Sequence, residues 1–182
     1  MGRTSNKDLM LDAAEQIVIE AGSGKLTLDA VAERAGVSKG GVVYHFPTKE
    51  ALLEAMMTRM IARNAELRAE LLDELPEGPG KALKAEIHAH LVSKQEKTRL
   101  CAGMLAAMAI EPKLMESARE YHKRRFSAHT GPKDGFAARA LLLLAADGLF
   151  LLEMLQVSPF SAAQRKELLA EMLRRAEEVS EE

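Results

Sequence analysis

The residues with the clearest chemical potential sit in one short stretch, Ser38-Lys39-Gly40-Gly41-Val42-Val43-Tyr44-His45-Phe46. Two adjacent glycines each cost a helix roughly 1 kcal/mol. That cost is reasonable where the backbone must come close to another molecule. At a helix start, free N–H groups and the helix dipole favour a phosphate. Lys39, Tyr44 and His45 add side-chain donors, and Lys49 opens the next helix, so the set suits a nucleic-acid backbone. Cys101 shares its stripe with Met104, Leu105 and Met108 and reads as an inert thiol, because a nucleophile needs an activating base beside it. His88 and His90 cannot share a helix face, and no Glu-x-x-His occurs, so no metal site or cofactor is expected. Met60, Cys101, Met104 and Met108, with His90, Tyr121, His122 and Phe126, fall on mostly apolar rows. They read either as core or as the wall of a pocket for an apolar small molecule with one or two hydrogen-bonding groups. No acid falls clearly on the inward rows of the helical segments 81–97, 99–110 and 112–128, which argues against a strongly cationic ligand. Lys123-Arg124-Arg125 reads as a solvated helix end.

The elements that must position these residues are all helices. Ala, Leu, Glu, Lys, Arg and Met abound, Trp is absent, and no stretch alternates apolar with polar residues as a sheet requires. Ser5 caps a first helix ending at Ala21-Gly22-Ser23-Gly24, and Thr27 caps a short second. A turn follows at Gly36. Ser38 opens a third helix that Pro47 stops at Phe46. This is a helix-turn-helix, whose second helix can enter a major groove. A long fourth helix runs from Thr48-Lys49-Glu50 to Leu75, before the linker Pro76-Glu77-Gly78-Pro79-Gly80. Further helices are expected at 81–97, 99–110, 112–128, 136–156 and 161–178, the last opened by a capping box at Ser161-Ala162-Ala163-Gln164. Residues 130–135 read as a loop.

The run from Thr27 to Leu53, TLDAVAERAGVSKGGVVYHFPTKEALL, resembles the DNA-binding domain of the tetracycline-repressor (TetR) family. The likeness covers about the first third of the chain. It implies a three-helix DNA-binding domain at 1–48 and a helical ligand-binding and dimerisation domain at 49–182, about nine helices in all. It further implies that Thr27 touches phosphate, that Ser38, Lys39, Gly40, Gly41 and Val43 face the major groove, and that Tyr44, His45 and Lys49 grip phosphates. Val42 and Phe46 would be core. Gly41 and Val43 stand where the family often has a polar or aromatic residue. Base readout would then rest on Lys39, on apolar contacts with thymine methyls and on DNA shape.

Composition sets the remaining bounds. The 182 residues are 47% hydrophobic and 29% charged, with a net charge of −2, so a DNA-binding field must be local. Residues 1–50 hold six bases and seven acids, which predicts modest non-specific DNA affinity. The single Cys excludes an internal disulfide. The longest apolar run, Ala140–Ala146, is too short for a membrane span, and the opening residues lack a signal-like apolar stretch, so a cytoplasmic protein is expected. Helix 136–156 is apolar on nearly every side and needs cover on every side. With 161–178 it is expected to form a homodimer seam. The expected function is a ligand-released repressor that binds an inverted-repeat operator as a dimer. An activator or ligand-independent regulator of the same fold is the alternative, and a helical enzyme is a more distant one.

Overall fold

The computed structural model describes residues 5–92, 95–130 and 135–179. Among them lie nine α-helices and no strand: α1 Asn6–Ala21, α2 Leu28–Ala35, α3 Lys39–His45, α4 Lys49–Glu74, α5 Lys81–Leu91, α6 Gln95–Ile110, α7 Pro112–Thr130, α8 Phe136–Met154 and α9 Ala162–Glu178. A short 3-10 turn, Ser23–Lys25, joins α1 to α2. The helix starts follow local chemistry. Ser5, Thr27 and Ser38 each accept a backbone N–H three residues on, and Ser161 with Gln164 forms the reciprocal capping box. The fifth and sixth helices differ from expectation. α5 ends at Leu91 rather than 97, and α6 begins at Gln95 rather than 99. The expected loop at 130–135 lies mostly outside the described residues.

The chain forms two compact units, each built from two stretches of sequence. The first gathers the chain up to Ile61 together with Gln95–Arg119. Its core packs Met10, Ala14, Val18, Leu26, Val31, Val42, Phe46, Leu52 and Met56 against Leu100, Met104, Ala107 and Leu114. The helix-turn-helix therefore rests on α6 and the start of α7 as well as on its own helices. At Gly103, α6 passes close against α1. A Cβ there would fall well inside van der Waals contact with Val18 Cγ1. Arg59 of α4 is tied to α1, donating to Glu15 at 2.8 Å and to Asp12 at 2.7 Å.

The second unit gathers 62–92 with 120–130 and 135–179. Leu83, Ile87 and Leu91 of α5 pack with Leu142, Leu143, Ala146 and Leu149 of α8 and Met172 and Ala176 of α9. A charged cluster lies inside it. Arg125 of α7 donates to Glu86 of α5 and to Asp147 of α8, both at 2.6 Å. Glu86 also takes Arg68 at 2.8 Å, and His129 Nε2 lies 3.3 Å away. Two expectations are corrected here. Arg125 is buried, not part of a solvated helix end, and Glu86 is an acid pointing inward from α5. Burial by itself would raise the Glu86 carboxyl. Hydrogen bonds from His129 and Arg68 and the Arg125 charge outweigh it and bring the pKa from 4.5 to about 2.

Candidate nucleic-acid interface

The reading helix is set by its turn. Gly36 adopts φ 67° and ψ 31°, the left-handed region that glycine enters without a Cβ penalty. Its N–H reaches the Ala32 and Glu33 carbonyls, while the Val37 N–H bonds Ala32 at 3.0 Å, which closes α2 and redirects the chain into α3. Val42 and Phe46 point into the core, and Val43, Tyr44 and His45 are exposed. Tyr44 is 83% exposed, its ring edge-on to His45 at 5.1 Å between centroids. A phenol that open is available for a phosphate oxygen.

The other expected contact residues are placed as follows. Thr27 and Ser38 use their side-chain oxygens as caps, accepting from Ala30 and Gly41 at 3.1 Å each. Their hydroxyl protons remain donors. At Gly40 and Gly41 an added Cβ would meet only Ser38 Oγ and, for Gly41, the tip of Met10, so no backbone of this unit presses on them. Lys39 is held by Asp29 of α2, its ammonium 2.9 Å and 3.0 Å from the two carboxylate oxygens. Lys49 is turned inward, with Nζ donating to the Ser23 carbonyl at 2.9 Å. That bond ties the start of α4 to the 3-10 turn. Sequence reasoning missed both acceptors, 10 and 26 residues away in the chain.

Family comparisons agree with this geometry. The description "Bacterial regulatory proteins, tetR family" matches residues 10–56, and "Tetracyclin repressor-like, C-terminal domain" matches residues 80–177. The chain belongs to the TetR family. It is similar to the HTH-type transcriptional regulator BetI of Stenotrophomonas maltophilia, 26% identical over 173 residues covering 89% of this chain and 88% of that one. BetI of Serratia proteamaculans is 29% identical over 168 residues, covering 85% and 84%. A transcriptional regulator from Saccharomonospora viridis, solved in complex with choline, superposes with a TM-score of 0.76 at 15% identity, covering 94% of this chain and 97% of that one. This TetR-family chain is thus a helix-turn-helix transcriptional regulator that binds DNA.

The residues expected around an effector fall into two groups. Met60, Cys101, Met104 and Met108 lie in the first unit. There Met104 is 1% exposed within the core, and Met60 and Met108 pack against the same cluster. Burial pushes the Cys101 thiol above its ordinary pKa, with the Lys97 charge opposing, which leaves little thiolate for nucleophilic work. His90, Tyr121, His122 and Phe126 lie in the second unit. His90 Nε2 is 3.1 Å from Asp147, and its ring packs on Phe150 with centroids 4.8 Å apart. Tyr121 accepts from Asn64 at 3.2 Å and meets His122 edge-on at 5.4 Å. The Arg125 guanidinium carbon stands 5.7 Å from the Phe126 ring centroid. Among the described residues no cluster of His, Cys, Asp or Glu could hold a metal ion, and no helix is long and apolar enough to cross a membrane.

Proposed function

We propose that this regulator is a repressor that binds an inverted-repeat operator as a homodimer and is released by a small molecule. The observation that carries the dimer is the outer face of α8. Leu142, Leu143, Ala146 and Leu149 are buried in the second unit, yet Leu141 is 65% exposed, Leu144 55%, and Leu151 and Leu155 continue the row. Their spacing keeps them on one side of the helix. A second copy meeting α8 and α9 would cover them by two-fold symmetry. Two identical reading helices then call for an inverted repeat in the DNA. Thr27, Ser38, Lys39, Gly40, Gly41, Val43, Tyr44 and His45 are the contacts we assign, with Lys49 acting through the position of the α4 start.

For the effector we retain His90, Tyr121, His122 and Phe126 as contact residues and assign Met60, Cys101, Met104 and Met108 to packing. Glu86 and Asp147 are both held by Arg125, which leaves little uncompensated negative charge and supports a ligand without a strong positive charge. An effector need favour the non-binding state by only about 1.4 kcal/mol to weaken DNA binding tenfold. The test is selection of duplexes by the purified full chain, followed by sedimentation with and without DNA. Enriched inverted repeats bound by a dimer support the proposal; a monomer at micromolar concentration that enriches a single half-site overturns it. Choline, the ligand of the Saccharomonospora regulator, belongs in the effector panel as the cationic member, and its release of DNA would overturn the charge argument.

A further inference from the structure

Several cations of the DNA-reading unit are already engaged within it, two of them by exposed acids of α1 and α2. Lys39, the first residue of α3, is clasped through both carboxylate oxygens of Asp29. Arg34 at the end of α2 pairs with Glu20 of α1 at 2.7 Å. Both partners of the Lys39 pair are well exposed, so burial does not enforce the contact and a DNA acceptor can compete for the ammonium. We propose that Asp29 restrains the DNA affinity of the reading helix, as an internal acceptor that holds Lys39 and that DNA must displace. This rests on Lys39 facing the major groove. At a wrong sequence the phosphates and ill-placed base edges compete poorly, and Asp29 keeps the ammonium. At the right sequence a purine edge offers acceptors in line with the α3 start, where guanine O6 and N7 suit a lysine. Lys39 then transfers to the base. Displacing Asp29 costs the right site the full strength of the pair, while keeping it costs a wrong site only the weaker phosphate contact forgone, so the acid lowers both affinities and the right one at least as much.

Salt dependence carries the signature. Each phosphate neutralised adds about 0.9 to the slope of log K against log salt. If Asp29→Asn frees Lys39 for phosphates, the slope on non-specific duplex steepens by about 0.9 per reading unit. That is an extra factor of about 3.5 between 50 and 200 mM salt. The exposed position makes folding of the variant unproblematic, and its melting temperature serves as the check.

The experiment measures binding of the full-length wild type, Asp29→Asn, Asp29→Glu and Glu20→Gln to a selected duplex and to a scrambled one, across salt. Glu20→Gln removes the same charge from a pair that does not touch α3. The expected result is tighter binding of both duplexes for Asp29→Asn, with a steeper slope on the scrambled one and a ratio of selected to scrambled affinity that does not fall, and near wild-type behaviour for Asp29→Glu. In a Lys39→Gln background, Asp29→Asn leaves the slope unchanged. An equal effect from Glu20→Gln overturns the proposal, since net charge alone would then explain it. A weakening on both duplexes without a slope change overturns it too, as does no change at all.

Discussion

Replacing Gly103 by alanine tests the contact on which the DNA-reading unit leans. In an ordinary helix interior Gly→Ala is stabilising by about 1 kcal/mol. Here the new methyl would collide with Val18 Cγ1, and the Val18 carbonyl lies 3.6 Å from the same point. Val18 is buried, and a β-branched side chain in a helix has one strongly preferred rotamer, so it cannot swing aside. Overpacking of this kind costs about 1–3 kcal/mol, and the rigidity of Val18 places it toward the upper end. The net expectation is destabilisation by about 1–2 kcal/mol, a fall in melting temperature of roughly 3–6 °C for a chain of this length. The assay is urea unfolding followed by circular dichroism, completed by a double-mutant cycle. Val18→Ala makes room for the added methyl, so Gly103→Ala in that background should be neutral or stabilising, with a coupling of about 2 kcal/mol. If Gly103→Ala alone raises stability, the α1–α6 contact is looser than described and the reasoning fails.

Other perturbations bear on separate parts of the molecule. Leu144→Glu or Leu141→Glu should yield a folded monomer with weakened DNA binding, read by sedimentation and by gel shift, because a dimer seam cannot bury an unpaired charge without a large penalty. Glu86→Gln leaves Arg125 underpaired in the interior and should cost the second unit about 3–5 kcal/mol. Because the folded Glu86 pKa lies at about 2, below its ordinary 4.5, its stabilisation is full above pH 4.5 and is lost as pH falls toward 2. Acid titration of the unfolding free energy should therefore be flatter in Glu86→Gln than in wild type across that window. Met104→Trp should destabilise the DNA-reading unit, since it forces a large ring into a full core; tolerance with loss of effector response would restore Met104 to a ligand wall.

The helix-turn-helix is legible because its signals are local. Thr27, Gly36, Ser38 and Pro47 act within a few residues of themselves, and capping and left-handed geometry need no distant partner. The α5–α6 boundary is less so. Val92 is followed by Ser93 and Lys94, neither Gly nor Pro, and the one local signal is the S-x-x-E order of Ser93 and Glu96, a helix-start pattern that a helix read on to 97 passes over. Arg125 sits beside Lys123 and Arg124 and has the sequence context of a surface residue; its two carboxylate partners stand 39 and 22 residues away. Lys49 misleads for the same reason, since an open helix start suggests an outward cation and the Ser23 carbonyl, 26 residues earlier in the turn between α1 and α2, captures it. The outward leucines of α8 can be foreseen as needing cover, but which leucines face out depends on how α5 and α9 dock.

The discontinuity of the first unit limits how the gene can be recombined. A hybrid regulator joined at residue 48, or even after residue 61, would inherit the operator-reading helices but take the positions of Leu100, Gly103, Met104 and Leu114 from its other parent. Val18 would then face whatever side chain the donor carries at the glycine position. A transplant of operator specificity should therefore move 95–119 together with the N-terminal segment, as two inserts from one parent. Variation within α6 among natural relatives should correspondingly track variation in α1, although four helices separate the two along the chain.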